Sequence, residues 1–431
     1  MRKARRPGVV RIIAVGLVLA AAGCGNGTSD NAQPSRHTTA PVTSSSPAAP
    51  LYDPPRQFSA EPVATLNDAA EAVVSGTMVY YFGHISDRGI RSADIEGYDL
   101  TTGETWQYTP PDVSFDGPEI PAGQPGHLLA VAAPSPALYY AGTVLQPGQG
   151  TQGSQLTAEV GSLAGQSGAS QWQVSLPLPS SFYQDDAFDP RQEVSLTLIG
   201  ADEHRLVVQA VGPDGSAPVV WVLDPATGRT MWTRSGFEAI GFGSDTVVVL
   251  AAATSPIAYG KPEGLNADTG SVRWPALAKT VTGVGYAMVG PDLIELSEFA
   301  FLKSSTFLVQ VNSGKLLTTL NDADYGTCLF DQVNTVVCPS ADSLIALDAV
   351  TGHRLWSLPD PHTNRIDPDV HVAYEGLLYA QGESDSGVIL NARDGSDAVD
   401  NVALAPDVVV PGFGLVLDAT ANSVTVYRAT S

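Results

Sequence analysis

The chain has 431 residues, of which 43% are hydrophobic and only 16% charged, so it can bury a large core and is not disordered as a whole. With 42 Gly and 32 Pro residues it must consist of many short elements joined by tight turns, which excludes long helical bundles. Its 22 basic and 45 acidic residues give a formal charge of −23 and argue against nucleic acid as a partner, because phosphate contacts need basic clusters.

The N-terminus carries Arg2, Lys3, Arg5, Arg6 and Arg11, followed by an apolar run from Ile12 to Gly23. That run is too short for a hydrocarbon core, which takes about 20 residues, so residues 1–23 read as an export signal and not as a spanning helix. It ends in Ala21-Ala22-Gly23-Cys24, which resembles a bacterial lipobox, with Ala21 where Leu is preferred. The resemblance implies cleavage before Cys24, diacylation of that residue (a palmitate-type anchor) and residence at the extracytoplasmic face of the cell membrane. Arg5-Arg6 is compatible with twin-arginine export, but Pro7-Gly8-Val9-Val10 matches that signal poorly, so Sec and Tat both stay open. Removal of the signal takes away five cations and no acid, so the mature chain is more acidic still.

Residues 24–55 are dominated by Ser, Thr, Ala, Pro, Gly and Asn, as in Thr43-Ser44-Ser45-Ser46-Pro47. Such a stretch cannot bury enough apolar surface to order itself and reads as a tether, with a reach of roughly 30 Å. Residues 56–431 are the folded body. Cys328 and Cys338 flank an Asp331-Gln332-Val333-Asn334 turn between two short apolar segments. Cross-strand positions of such a hairpin fall within the roughly 4.4–6.8 Å Cα separation of a disulfide. An oxidising envelope favours that bond over two buried thiols, and no second Cys or His pair completes a metal site.

Along the body one pattern recurs: Leu-Asp-x-x-Thr-Gly-x-x-x-Trp. Its best copies are Leu223 to Gly228 with Trp232, Leu265 to Gly270 with Trp274, and Leu347 to Gly352 with Trp356. An early copy, Tyr98 to Gly103, has Trp106 one position short. Decayed copies are Gly168 with Trp172, Gly314 with Thr318 in the Trp place, and Gly395 with Val399. The glycines at 103, 168, 228, 270, 314, 352 and 395 recur at intervals near 42 residues, the length of a four-stranded propeller blade, apart from two longer ones. Asp or Asn accepts backbone N–H bonds to start the turn, Gly supplies a positive φ, and the aromatic packs on the neighbouring blade.

Eight apolar strands precede these turns: Thr77–Tyr81, Ala137–Tyr140, Arg205–Val208, Thr246–Val249, Asp292–Ile294, Thr335–Val337, Gly376–Tyr379 and Gly414–Leu417. The last is followed by Ser423–Tyr427 and then the chain end, without a turn. The expected fold is therefore an all-β propeller of four-stranded blades, eight in number with seven as the alternative. An N-terminal strand around Gln57–Val63 is expected to complete the C-terminal blade, leaving no open edges. A monomer is expected.

The Leu-Asp-x-x-Thr-Gly-x-x-x-Trp turns resemble the tryptophan-docking motifs of pyrroloquinoline-quinone-type propellers, including the BamB-like and quinoprotein-type repeat lipoproteins. An Ala/Gly/Asp-rich, Lys-poor composition leans towards an actinobacterial version. The resemblance implies that Trp106, Trp172, Trp232, Trp274 and Trp356 form a structural girdle that touches no substrate. Quinone enzymes of this family carry a vicinal Cys-Cys disulfide that is absent from this sequence, and no quinone or other cofactor is expected.

Gly-x-Ser-x-Gly, His-Glu-x-x-His and Walker-type patterns are also missing. The densest polar cluster, Asp360, His362, Arg365, Asp367, Asp369 and His371, reads as a solvated interblade loop before a metal or acid–base site. Asp185, Asp186 and Asp189, and the segment Asn321 to Gly326, read as exposed turns. Two functions remain: a non-catalytic binding or scaffold lipoprotein for an envelope protein or polymer, and, as the weaker reading, an enzyme or small-molecule sensor with a site in the central funnel. Convergent titratable groups in the funnel would favour the second.

Overall fold

The computed structural model describes residues 51–431 except 84–93, 116–125, 133–135, 149–152, 184–193, 213–217, 252–259, 278–285, 301–302, 322–325, 341, 383–385 and 419. The export signal, Cys24, most of the tether, the Asp185–Asp189 loop and residues 322–325 of the Asn321 segment lie outside the described residues.

The strands form eight antiparallel four-stranded sheets. We label the strands of each blade A to D in spatial order from the ring centre. Blade 1 consists of Ala70–Ser75, Met78–Gly83, Asp94–Asp99 and Thr105–Tyr108. Blade 2 follows with Leu128–Val131, Ala137–Gln146, Gln155–Ala164 and Ser170–Pro177, and blade 3 with Ser195–Ala201, Leu206–Val211, Val219–Leu223 and Thr230–Ser235. Blades 4 to 7 begin with the A strands Phe237–Gly243, Tyr286–Gly290, Leu329–Phe330 and Asp369–Tyr374. Consecutive A strands touch from blade 1 through blade 8.

Blade 8 contains Val408–Val410, Phe413–Asp418 and Ser423–Arg428, and its D strand is Ala64–Leu66 from the other end of the body. Ala64, Thr65 and Leu66 pair with Val426, Thr425 and Val424. The named strand starts just beyond the expected Gln57–Val63 segment, although Phe58 already bridges Ala429 and the Ser59 amide bonds the Arg428 carbonyl. Pro62 has no N–H to donate, which interrupts the ladder between these contacts.

One apolar core occupies each blade boundary, and alternation within single strands explains why. In strand B of blade 3, Leu206, Val208 and Ala210 enter the core shared with blade 2, while Val207 enters the core shared with blade 4. A strand buried on both faces must be apolar throughout, hence runs such as Thr246-Val247-Val248-Val249. The last core joins Val408, Phe413, Leu415 and Val426 of blade 8 to Val74, Val79 and Tyr81 of blade 1, which closes the ring.

Antiparallel order places the A–B and C–D turns on one side of the ring and the B–C and D–A connections on the other. The two kinds of turn on the first side are hydrogen-bonded together. Leu100 donates to Thr77, Ala267 to Asp245, Val311 to Asp292, Ala349 to Asn334, Ala392 to Gly376 and Ala429 to Gly412. The opposite side receives the longer connections, such as those from Tyr108 to Leu128 and from Pro177 to Ser195.

Candidate functional site

The C–D turns follow from their sequence. Gly103, Gly168, Gly228, Gly270, Gly314, Gly352 and Gly395 all have φ between +66° and +74°. In each turn the Gly amide donates to the carbonyl four residues earlier, as Gly228 does to Asp224. In blades 1, 3, 4 and 6 the side chain at that earlier position caps the turn: Asp99, Asp224, Asn266 and Asp348 each accept a backbone amide through Oδ1, Asp348 from Val350 and Thr351.

Each docking tryptophan reaches across a blade boundary. Trp106 Nε1 donates to the Gly165 carbonyl at 2.9 Å, Trp172 to Pro225 at 2.8 Å and Trp232 to Ala267 at 2.7 Å. Trp274 donates to Val311 and Trp356 to Ala392, both at 2.8 Å. The indoles lie against the turn glycines of the next blade, where a Cβ on Gly168, Gly228, Gly270, Gly314 or Gly395 would meet the ring at 3.0 Å or less. Thr318 provides no such ring in blade 5, and the Leu317 carbonyl takes that place beside Gly352.

Cys328 and Cys338 are joined by a disulfide with Cα atoms 4.1 Å apart, slightly under the usual range. Both are buried in the core between blades 5 and 6. Asp331 Oδ1 accepts the amides of Val333, Asn334 and Thr335 and so fixes the hairpin turn between them. The Cys328 amide donates to Glu295 Oε2 of blade 5 at 2.7 Å.

Further polar groups sit where the A strands begin, at the channel mouth on the long-connection side; of these, sequence reasoning singled out His371 and missed Glu71, His127, Glu238 and Tyr286. Glu71 has φ +46° in a bulge of blade 1's A strand, and the bulge turns its side chain towards blade 2. Its Oε1 accepts the amides of His127 and Leu128, and its Oε2 lies 2.9 Å from His127 Nδ1. Gly126 leaves room for that carboxylate, since a Cβ there would push Glu71 Oε1 aside. Tyr286 of blade 5 donates to Glu238 of blade 4 at 3.0 Å. Burial pushes the Glu238 carboxyl above its ordinary range, partly opposed by that bond, and burial first and Glu238 second raise the Tyr286 hydroxyl. His371, also at a bulge, has Nδ1 3.1 Å from Asp407 Oδ1 of blade 8, an approach without hydrogen-bond alignment. Asp407 Oδ2 accepts the Leu417 amide at 2.9 Å.

The structure therefore splits the Asp360–His371 cluster. Asp360 accepts from the His362 amide and the Thr363 hydroxyl, and these bonds, Thr363 first, lower its pKa. Arg365 bonds the Gly395 carbonyl and Asp397 of blade 7, while His371 faces Asp407. Among the described residues no group of three His, Cys, Asp or Glu side chains is placed to hold a metal ion. On the short-turn side the buried Arg205 guanidinium is 2.9 Å from Asp202, 2.5 Å from Asp245 and 2.7 Å from Asp268, joining blade 3 to blade 4. Burial works against its charge, and the aspartates more than offset that and raise its pKa. An open cleft of about 400 Å³ between blades 2 and 3 is floored by Trp221 and edged by Pro177, Pro179 and Thr233.

These features define an eight-bladed β-propeller with tryptophan-docked blades. Neither a family model nor a curated protein sequence matches the chain. Its architecture is similar to that of solved propellers. BamB from Moraxella catarrhalis is 16% identical, with 86% of this chain and 98% of that chain covered and a TM-score of 0.42. Quinohemoprotein alcohol dehydrogenase from Comamonas testosteroni is 12% identical, with 86% and 76% covered and a TM-score of 0.48. An uncharacterized protein, lmo1340 from Listeria monocytogenes, is 10% identical, with 80% and 94% covered and a TM-score of 0.41. The likeness is one of fold.

Proposed function

We propose that this protein is a lipid-anchored, extracytoplasmic propeller lipoprotein whose ring holds another envelope protein or polymer without catalysing a reaction on it. The observation that carries the reading is the asymmetry of the ring. One side is made of short turns bonded to each other, and the other receives the long connections on a rigid frame. Strands B and C of blade 2 extend over ten residues each on that second side and end with exposed Gln146 opposite Gln155. Anchoring through Cys24 rests on the lipobox resemblance.

The test is purification of the full-length lipoprotein from its membranes. A stoichiometric partner that is lost on Gln146→Arg/Gln155→Arg but kept on Thr351→Arg supports the reading. Absence of any partner, or equal loss in both variants, contradicts it.

A second reading, a small-molecule sensor or enzyme at the channel mouth, is favoured by Glu238, a carboxyl with a raised pKa beside Tyr286. Thermal stabilisation by a small ligand, lost in Glu238→Gln, would support it. Quinone chemistry does not fit these residues: the disulfide joins Cys328 to Cys338, ten positions apart, and is not the vicinal Cys-Cys pair that the quinone-enzyme resemblance implies.

A further inference from the structure

The chain enters the ring from the short-turn side. The Tyr52 carbonyl accepts the Gly412 amide in the A–B turn of blade 8, and the Leu51 side chain lies against Gly412. Asp53 accepts from the Tyr374 hydroxyl at 2.8 Å and the Pro55 carbonyl from Tyr379 at 2.7 Å, both in blade 7. Residues 51–55, which composition assigns to the tether, thus form a strap on blades 7 and 8. Between Cys24 and this strap lie 26 residues, for which the tether reading of their composition implies a root-mean-square reach of about 28 Å.

Leu51 and Tyr52 are themselves exposed, and the same side carries Val333 at 56% and Val350 at 67% exposure. Those two valines flank the Ala349-to-Asn334 hydrogen bond that ties the A–B and C–D turns of blade 6, and Val333 also approaches Gly376 of blade 7. Turn tips ordinarily carry polar residues. Four large apolar side chains are thus exposed at turns and strap on one side of an acidic ring.

We propose that the short-turn side rests on the lipid bilayer to which the tether is anchored, through Leu51, Tyr52, Val333 and Val350, and that the long-connection side faces away from the membrane. This rests on the anchoring reading above. Such contacts are too few to bind a bilayer from solution, but a short tether holds the ring at an effective concentration in the millimolar range, where weak contacts are occupied. The net negative charge of the chain works against an anionic surface, so neutral lipid is the appropriate probe.

The experiment imposes the anchor. The chain from Gly25 onward, carrying an N-terminal hexahistidine, is held on phosphatidylcholine vesicles containing nickel-chelating lipid. An environment-sensitive fluorophore is attached at Val350→Cys or at Gln155→Cys, and nitroxide lipids are added. The label at position 350 is expected to lose most of its fluorescence and the label at 155 little. Combining Leu51→Ser, Tyr52→Ser and Val333→Ser is expected to bring quenching at 350 down towards that at 155. Equal quenching at both positions, stronger quenching at 155, or no effect of the three serines overturns the proposal. Palmitate labelling of the native lipoprotein tests the anchor separately, since an unlabelled Cys24 overturns anchoring whatever side the ring presents.

Discussion

Replacing Gly228 by Ala separates tryptophan docking from turn geometry. Gly228 has φ +71°, and a Cβ there would lie 2.6 Å from Trp172 Cε3. A left-handed conformation costs an L-residue about 1–2 kcal/mol. The indole must also move, straining its 2.8 Å bond to the Pro225 carbonyl, and a neutral hydrogen bond is worth about 0.5–1.5 kcal/mol net. With the packing lost beside it, the total reaches about 2–4 kcal/mol. Gly103 is the internal control. Its φ is +74°, yet the nearest atom to an added Cβ is Tyr98 Oη at 3.8 Å. No indole docks there because the preceding D strand is the N-terminal Ala64–Leu66. Gly103→Ala should therefore show only the backbone effect, about 1–2 kcal/mol. Urea denaturation of both variants gives the difference, and in a Trp172→Ala background Gly228→Ala should fall to the Gly103→Ala value. Equal losses for the two single variants would refute the docking argument.

Three further outcomes follow from the site geometry. Arg205→Met leaves Asp202, Asp245 and Asp268 facing one another; because these acids are partly exposed, the expected loss is about 1–3 kcal/mol, shrinking as salt is added, as denaturation at low and high ionic strength would show. Burial raises the Glu238 pKa on folding, so its contribution to stability is complete at low pH and is lost as pH rises through the folded value. Glu238→Gln keeps an acceptor for Tyr286 without titrating, so the wild type should lose stability relative to the variant from about pH 4.5 upward; a variant deficit that grows with pH would contradict this. Reduction of the Cys328–Cys338 bond, which closes a loop of ten residues' separation, should lower stability by about 2–3 kcal/mol, read from melting with and without reductant.

The ring was legible because its information is local and periodic. Each C–D turn combines a left-handed Gly with an apolar strand before it and, outside blade 2, an acid or amide at the cap position, and these recur within ten residues, as from Leu223 to Trp232. Even the closure by a remote strand could be inferred, since Ser423–Tyr427 ends the chain without its turn. The channel mouth was not legible. Glu71 and His127 are 56 positions apart, Glu238 and Tyr286 48, and the D–A connections between them vary in length, so no spacing marks the pairs. The available signal was a lone acid in an apolar A strand, as in Phe237-Glu238-Ala239-Ile240. Nothing in the sequence says that Glu71 is turned into the next blade, because that depends on a bulge and on Gly126 giving it room. The Asp360–His371 segment is the solvated interblade loop that its composition suggested, and its neighbours in sequence, Arg365 and His371, face different partners.

The most direct test of the binding account is photo-crosslinking in intact cells from two positions of the full-length lipoprotein. A crosslinking residue at Gln155, at the end of the long blade 2 hairpin, is expected to capture one discrete envelope component, whereas the same residue at Thr351, in a short turn of blade 6, captures none. Equal capture from both positions, or none from Gln155, would contradict it.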